Sequence, residues 1–178
     1  MSSEPDKPKA QIETSKPLSA IEILGATACG FIAIFITTWI SNKFIGTGGS
    51  LYMVASMGAA SVLLFTQPNS SMSQPWALVG GHLVSSSAGV MAALLISDPA
   101  LAAATAVALA IAGMLAFRCL HPPGGAAALG AVLGGDSVTS LGFYYVLTPV
   151  LFNAIVLLCL AVIINNLYPG RRYPRRRF

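Results

Sequence analysis

The 178-residue chain is too apolar for an ordinary soluble domain, because 55% of its residues are hydrophobic and only 9% are charged. Its net charge of +4 reflects ten basic and six acidic residues, and most of the charged residues lie near the two ends. The composition and length together predict a single integral membrane domain that acts in or across the bilayer. The three cysteines lie singly in apolar segments and are expected to be small buried hydrophobes rather than disulfide partners or zinc ligands.

The terminal segments are polar. Residues 1–22 mix acids, lysines, prolines and serines, which predicts a disordered cytoplasmic tail without the pattern of a signal peptide. Residues 169–178 form a basic tail, and the positive-inside rule places it in the cytoplasm, with the domain in the cell (inner) membrane. We expect this tail to contact anionic lipid headgroups, and we expect no nucleic-acid partner. Its basic residues are Arg171, Arg172, Arg175, Arg176 and Arg177.

Four long apolar segments lie between the tails, within a transmembrane domain of residues 23–168. They are residues 23–40, 76–96, 100–117 and 143–164, each close to the roughly 20 residues that cross the hydrocarbon as a helix. All four are predicted to be helical, because lipid offers no partner for an unpaired backbone group. The third segment is mostly alanine, which favours close packing and predicts a place inside the bundle. An even number of crossings puts both termini on the same, cytoplasmic side.

Two shorter apolar segments, residues 51–65 and 122–134, indicate an internal duplication. A shift of 67 residues superimposes their Gly-Ala-Ala cores, and each half has the order long helix, linker, short helix, polar linker, long helix. The predicted fold is an all-α polytopic membrane protein with four long transmembrane helices and two short membrane-embedded helices that meet near a pseudo-twofold axis. Short helices that cross give inverted halves, and short helices that re-enter give parallel halves. The sequence leaves both arrangements open.

The stretch RCLHPPGGAAALG, residues 118–130, places costly residue types in an apolar region. The two prolines suit the first turn of a helix, whose backbone N–H groups have no partner within the helix. A positive helix end with glycines at its start, next to an arginine and a histidine, predicts a pocket for a small anion. In a purely structural alternative, the arginine extends to the interface and the glycines only allow packing. The predicted site residues are Arg118, His121, Pro122, Pro123, Gly124, Gly125 and Ala126.

Residues outside this motif complete the predicted anion path. Gly58 lies in the matching core of the first half. His82 lies within the second long segment beside two glycines and before three serines, and it either faces the path or bonds a neighbouring carbonyl. Asn153 follows Pro149, which frees a carbonyl at about Tyr145 and kinks the helix. Asn153 either lines the path or satisfies that carbonyl.

The motifs GAASVLLF, QPW..VGGH, HPPGGA and P.LFNA, in this order over residues 20–168, resemble the HPP family of integral membrane proteins. Characterised family members in plastids and cyanobacteria transport nitrite, so the resemblance implies movement of a small monovalent anion. Some relatives carry cytoplasmic regulatory domains after the membrane part. The family motif often has alanine at the position of Gly124, and we expect that replacement to leave the helix start intact.

The leading functional hypothesis is channel-like or passive transport of nitrite or a similar anion by a homo-oligomer. A membrane enzyme is the second class, but two histidines without facing carboxylates are too few for a di-metal site. The sequence therefore predicts no enzymatic activity, no metal and no cofactor. A structural or sensory membrane subunit is the third class.

Overall fold

The computed structural model describes residues 19–167 and 171–175, with the backbone alone for residues 44–53. These residues form helices joined by short loops, with no strand among them. The helices are α1 (Ala20–Thr66), α2 (Pro75–Leu95), α3 (Pro99–Ala116), α4 (Pro123–Leu133), α5 (Asp136–Thr139) and α6 (Phe152–Leu167). A 3₁₀ turn at Ser71–Ser73 precedes α2, and a π-helical segment at Val146–Leu151 precedes α6.

The membrane-spanning segments agree with the sequence prediction. Four helical stretches are long and apolar enough to span a bilayer, and two shorter apolar helices accompany them. The long stretches are Ala20–Lys43, Pro75–Leu95, Pro99–Ala116 and Val146–Leu167, and the short ones are Val54–Thr66 and Pro123–Leu133.

The first helix begins inside the predicted tail. Ser19 caps α1 through a capping box, in which its hydroxyl accepts from the Glu22 amide and the Glu22 carboxylate accepts from the Ser19 amide. The helix therefore starts at Ala20, before the tail boundary predicted at residue 22. Residues 1–18, the rest of that tail, lie outside the described residues.

The two ends of α1 lie side by side, so its chain turns back on itself. The Cδ1 atom of Ile34 is 4.0 Å from the point that a Cβ on Gly58 would occupy, whereas a straight helix would hold these residues about 36 Å apart. Ala26 and Phe65 also line one shared cavity of about 240 Å³. We call the two arms α1a (Ala20–Lys43) and α1b (Val54–Thr66). The reversal lies between them, where the sequence has its glycine-rich linker.

The position of α1b follows from its contacts with α2. At Ser56, α1b contacts the middle of α2, where Ser56 Oγ lies 2.9 Å from His82 Nε2. At its other end, the carbonyl of Leu63 accepts a 3.3 Å hydrogen bond from Ser73 Oγ, directly before α2 begins. Helix α1b therefore runs from the middle of α2 to its N-terminal end.

Helix α4 runs the other way from the same depth. At its start, a Cβ on Gly124 would lie 2.6 Å from Ser85 Oγ, in the middle of α2. Toward its end, the Cβ of Ala131 lies 2.9 Å from the Cβ position of Gly89, in the last two turns of α2. Upstream, residues 117–122 descend along the first half of α2 and carry the chain from the end of α3 to this depth. Residues 117–122 and α4 together therefore cross the membrane once.

The architecture is therefore the inverted three-plus-three arrangement with two half-helices. Helix α4 starts near His82, α1b passes the same point at Ser56, and the two end at opposite ends of α2. They meet where the Ser56 hydroxyl donates a 2.8 Å hydrogen bond to the Pro123 carbonyl, two residues separated by the 67-residue repeat. The described chain ends lie together, since Arg171 forms a 3.3 Å ion pair with Glu22. We call the face with these ends the terminal face and the other the opposite face.

Helix α3 is not the most buried helix, contrary to the expectation from its alanines. Only 22% of the residues in its apolar stretch are buried, compared with 56% of those in the apolar stretch of α2. Its contact stripe consists of Ala102, Ala106, Ala110 and Met114, whereas larger residues such as Leu101 and Leu115 point outward. Small residues thus mark one packed face and do not indicate a central helix.

The predicted break at Pro149 is present. Thr148 leaves the helical region with φ −138° and ψ 116°, and this break kinks the segment Val146–Leu151. One cysteine also differs from prediction, since Cys29 and Cys119 are buried but Cys159 is exposed on the outer face of α6.

Candidate functional site

The two histidines of the chain form a buried pair where the half-helices meet. The ring centroids of His82 and His121 are 4.9 Å apart with an interplanar angle of 49°. Neither side chain has measurable solvent exposure. His82 comes from the middle of α2 and His121 from the segment before α4. The sequence placed both residues in the anion path, and the structure brings them into contact.

Both ring nitrogens of His82 contact a polar group. Nδ1 lies 2.8 Å from the carbonyl of Leu78, one turn earlier in α2. Nε2 lies 2.9 Å from Ser56 Oγ, whose hydroxyl also contacts the Pro123 carbonyl at 2.8 Å. His82 thus bonds a neighbouring carbonyl, as one alternative proposed, and it also reaches both half-helices through Ser56.

The His121 ring has one satisfied nitrogen and one unsatisfied nitrogen. Nδ1 lies 2.8 Å from the carbonyl of Met72 in the linker before α2. Nε2 is buried and has no hydrogen-bond partner among the described residues, and the same holds for Ser85 Oγ. Buried polar atoms nearly always have a partner in native proteins, so such a pair points to a ligand or water.

Glycines allow the backbone to come this close. A Cβ on Gly81 would lie 2.6 Å from the His121 Cβ and 2.9 Å from the Cys119 carbonyl. A Cβ on Gly124 would lie 2.6 Å from Ser85 Oγ and 3.0 Å from the Gly81 carbonyl. The expectation that alanine at position 124 leaves the helix start intact stays a prediction, and the structure adds that the Ser85 hydroxyl would have to move.

The start of α4 agrees with the sequence prediction in its prolines but not in its amides. Pro122 is the N-cap and Pro123 the first helical residue. The Gly124 amide donates to the His121 carbonyl at 2.8 Å, and the Gly125 amide donates to the Pro122 carbonyl at 3.0 Å. A tight first turn satisfies both amides, so these two are not the free donors that the sequence predicted. Ala126, in the same turn, is half-buried.

The structure does not bring Arg118 into the histidine pair. Arg118 is exposed and has a φ of +53°, the left-handed conformation that ends α3 and turns the chain toward His121. It lies on the terminal-face side, next to Phe117, whose carbonyl accepts a 3.1 Å hydrogen bond from Trp76 Nε1. Its charge is therefore outside the buried site.

Gly58 and Asn153 also lie outside the histidine pair. Gly58 is half-buried and faces Ile34 of α1a. Asn153 is fully buried, and its Nδ2 donates a 2.7 Å hydrogen bond to Ser41 Oγ near the end of α1a. Asn153 thus joins α6 to α1a, and no described bond connects it with the carbonyl at Tyr145.

An open cleft of about 360 Å³ leads from the terminal face to Pro123. One wall is α1b and the other is the start of α4, so the cleft separates the two half-helices. Thr66 and Gln67 lie at the outer end of α1b, and apolar side chains form the rest. These are Ala59, Val62, Leu63, Pro122, Pro123 and Ala126.

The described C-terminal segment is folded against the linker that holds His121. Tyr173 is buried, and its hydroxyl donates a 2.6 Å hydrogen bond to the Ser73 carbonyl, next to Met72. This burial raises the pKa of the Tyr173 hydroxyl. The amide of Arg175 donates to Gln74 Oε1 at 2.8 Å. Part of the basic tail is thus docked on the protein, and Arg171 faces Glu22 rather than lipid alone.

The sequence prediction did not include Ser56 or Met72, and it included Ser85 only as one of three serines that follow His82 as small donors. Ser56 could have been found from the sequence, because the 67-residue repeat pairs it with Pro123. Paired positions contact each other where they lie at the pseudo-twofold axis. Ser85 follows Gly81 by one helical turn, so both lie on one face of α2. Met72 contributes only a carbonyl, and no side-chain pattern marks it.

Comparisons with known proteins agree with this fold. The family model described as "HPP, transmembrane region" matches residues 15–174. A transmembrane protein of Dictyostelium discoideum is 36% identical over 81% of this chain and 47% of its own length. A second transmembrane protein of that organism is 32% identical over 89% of this chain and 57% of its own length. The chain thus spans about half the length of these relatives. No solved structure matches it.

Proposed function

The chain belongs to the HPP family of transmembrane proteins, and from that premise we propose that it moves a small monovalent anion, nitrite, across the membrane. The main support is the pair of unpartnered buried atoms, His121 Nε2 and Ser85 Oγ, which belong to residues near the start of α4. Discontinuous helices that start at mid-depth hold substrates in many transporters. Nitrite as the cargo comes from the family resemblance, while the geometry supports a small polar ligand.

The electrostatics of the site favour a negative ligand. Helix α4 begins here, and a helix carries partial positive charge at its N-terminal end. The acidic side chains that the structure describes are Glu22, Asp98 and Asp136, and none contacts the histidine pair. Glu22 caps α1, Asp98 caps α3, and Asp136 is exposed at the start of α5. An anion at the pair thus meets the positive end of α4 and no nearby carboxylate among the described residues.

The cleft between the half-helices is the proposed route from the terminal face. It reaches Pro123, whose carbonyl bonds Ser56, the neighbour of His82. Arg118 is exposed on the same side and is proposed to attract anions to the entrance rather than to hold them. The terminal face is proposed to be cytoplasmic, because Arg171, Arg172 and Arg175 lie there. We also propose anionic headgroups as partners of this face and a homo-oligomeric assembly in the cell membrane.

Nitrite flux into proteoliposomes tests the proposal. Purified protein should accelerate nitrite entry above that of empty vesicles at neutral pH, far above the pKa of nitrous acid. Ser85→Ala should slow this flux, because it removes an unpaired hydroxyl from the site. Ser86→Ala is the matched control, since the Ser86 hydroxyl bonds the His82 carbonyl within its own helix at 2.6 Å. Nitrite entry equal to that of empty vesicles would refute the proposal.

A further inference from the structure

We propose that the His82–His121 pair binds its anion only together with one proton, which makes the transport electroneutral proton–anion cotransport. This inference rests on the proposed function and adds the coupling ion to it. It follows from comparing the number of hydrogen atoms available around the two rings with the number of acceptors that need one. A backbone carbonyl only accepts a hydrogen bond, a serine hydroxyl has one hydrogen, and a neutral imidazole has one N–H.

The His82 network is short of one hydrogen when the ring is neutral. The Leu78 carbonyl 2.8 Å away requires the proton on Nδ1, so Nε2 of the neutral ring is an acceptor. The Ser56 hydroxyl then serves either Nε2 at 2.9 Å or the Pro123 carbonyl at 2.8 Å, but not both. Protonation at Nε2 satisfies all three contacts, because Nε2 donates to Ser56 and Ser56 donates to Pro123.

The same count applies at His121. Its Nδ1 donates to the Met72 carbonyl at 2.8 Å, so Nε2 of the neutral ring presents only a lone pair. An anion also presents lone pairs, and the two would repel each other. Nε2 attracts an anion only after it has gained a proton. Protonation therefore satisfies all the hydrogen bonds of His82. At His121, protonation gives the ring a donor that can bind the anion.

Charge balance sets the number of protons at one, which is on His121 Nε2 when the anion is bound, while His82 stays neutral. Two imidazolium rings with centroids 4.9 Å apart repel each other in a buried site. The other titratable groups packed close by are Cys119 beside Gly80 and Tyr145, whose hydroxyl donates to the Ala127 carbonyl. Both are neutral at neutral pH, and no described carboxylate faces the pair. One proton taken from solution adds one positive charge, and one anion cancels it.

The cleft favours the same stoichiometry. Its inner walls are apolar, with Ala59, Val62 and Leu63 on α1b facing Pro122 and Ala126 near the start of α4. A lone ion in such surroundings loses its hydration without compensation, whereas a proton and an anion moving together carry no net charge. The wall chemistry therefore selects a neutral pair over a bare anion.

Calorimetry measures the coupling directly. Nitrite is titrated into the detergent-purified protein in two buffers that differ in ionisation enthalpy, and the difference in heat gives the protons taken up per anion. We expect about one proton, with nitrite affinity falling roughly tenfold for each pH unit over the range where the pair is unprotonated. Nitrite binding without proton uptake overturns the coupling while leaving anion transport in place. If neither nitrite binding nor nitrite flux is found, both proposals fail.

Variants separate the coupling from a structural role. Gln at position 121 has a permanent amide donor, so His121→Gln should bind nitrite with a much weaker pH dependence and little proton uptake. Ser85→Ala should lower nitrite affinity without changing the proton count, and Ser86→Ala should change neither. His82→Gln tests the second ring, with gel-filtration behaviour as the check on folding. An unchanged pH slope in both histidine variants overturns the proposal.

Discussion

The hydroxyl of Ser56 donates a 2.8 Å hydrogen bond to the carbonyl of Pro123, and these residues occupy the same position in the two halves of the chain. Equivalent positions meet only at the symmetry axis of a duplicated structure. The contact therefore marks the axis of the inverted repeat, with His82 beside it. The pseudo-symmetric centre of the fold and the candidate site coincide.

Removing this contact should loosen the junction. Ser56→Ala deletes the hydroxyl that joins α1b to α4 and to His82, and the loss of a buried hydrogen bond costs about 1–3 kcal/mol. Chemical unfolding in mild detergent measures the difference. Ser61→Ala is the matched control in the same half-helix, since Ser61 bonds only the nearby Gly58 carbonyl within α1b. Equal losses of stability in the two variants would contradict a special role of Ser56.

Two neighbouring glycines in the motif should respond differently to alanine. Gly124→Ala places a methyl 2.6 Å from Ser85 Oγ, so Ser85 must move and the variant should lose stability and nitrite flux. Gly125→Ala meets nothing within 4 Å, and we expect a gain of about 0.5–1 kcal/mol from better helix propensity. Thermal unfolding and flux of the two variants are compared in one preparation. If Gly124→Ala matches Gly125→Ala, the close approach at Ser85 is not required.

The charge of Arg118 should increase nitrite flux by attracting anions to the entrance through solvent. An exposed cation that attracts anions to an entrance is screened by salt, with a Debye length of about 10 Å at 0.1 M. Arg118→Gln should therefore reduce nitrite flux at low ionic strength and by less at high ionic strength, whereas Arg118→Lys should retain the flux. Initial rates at a series of sodium gluconate concentrations supply the test. A loss that is independent of salt would place Arg118 in the binding site instead.

The left-handed conformation of Arg118 should lower the stability of the protein. Its φ of +53° is strained for a side chain with a Cβ, and glycine adopts this conformation without that strain, a difference of about 1 kcal/mol. Arg118→Gly should therefore raise the free energy of unfolding, while Arg118→Ala, which keeps the Cβ, should not. A lower melting temperature for Arg118→Gly than for Arg118→Ala would show that the arginine side chain makes a stabilising contact.

The fold was largely predictable from the sequence, since long apolar runs and the lack of backbone partners in lipid allow few alternatives. The crossing of the short helices was not predictable, because residues 117–122 form an irregular turn and link whose sequence shows no periodicity. The structure decides it through two contacts of α2, with Gly81 at His121 and Gly89 at Ala128.

The site was predictable only in part. Histidines in an apolar region stand out, and His82 and His121 prove to be neighbours. Arg118 appeared equally prominent in the sequence, but one left-handed residue at the end of α3 turns it outward. The free donors expected at Gly124 and Gly125 are consumed by the tight first turn of α4. Local backbone geometry of this kind cannot be derived from residue types.

Docking of the C-terminal segment should depend on Tyr173. Tyr173→Phe removes the 2.6 Å hydrogen bond to the Ser73 carbonyl and should speed tryptic cleavage after Arg172, with Tyr144→Phe, an exposed site, as the control. Because burial raises the Tyr173 pKa, its contribution is complete below the usual tyrosine value of about 10 and declines as pH rises through the higher folded value. Cleavage of the wild type should therefore stay slow at every pH at which trypsin is active. Equal cleavage rates for Tyr173→Phe and the wild type would contradict the docking.

Cysteine labelling should confirm the inverted topology. The exposed residues Asn69, in the loop before α2, and Ser137, in the short helix α5, lie at opposite ends of α2, because α1b ends at its start and α4 ends near its finish. In a background with the native cysteines changed to serine, Asn69→Cys should react with a membrane-impermeant maleimide from the side of the C-terminus, and Ser137→Cys from the other side. Re-entrant half-helices would bring α4 back to its starting face, so Ser137→Cys would then label together with Asn69→Cys. Labelling of both from one face would overturn the crossing geometry and, with it, the junction at which the anion is proposed to bind.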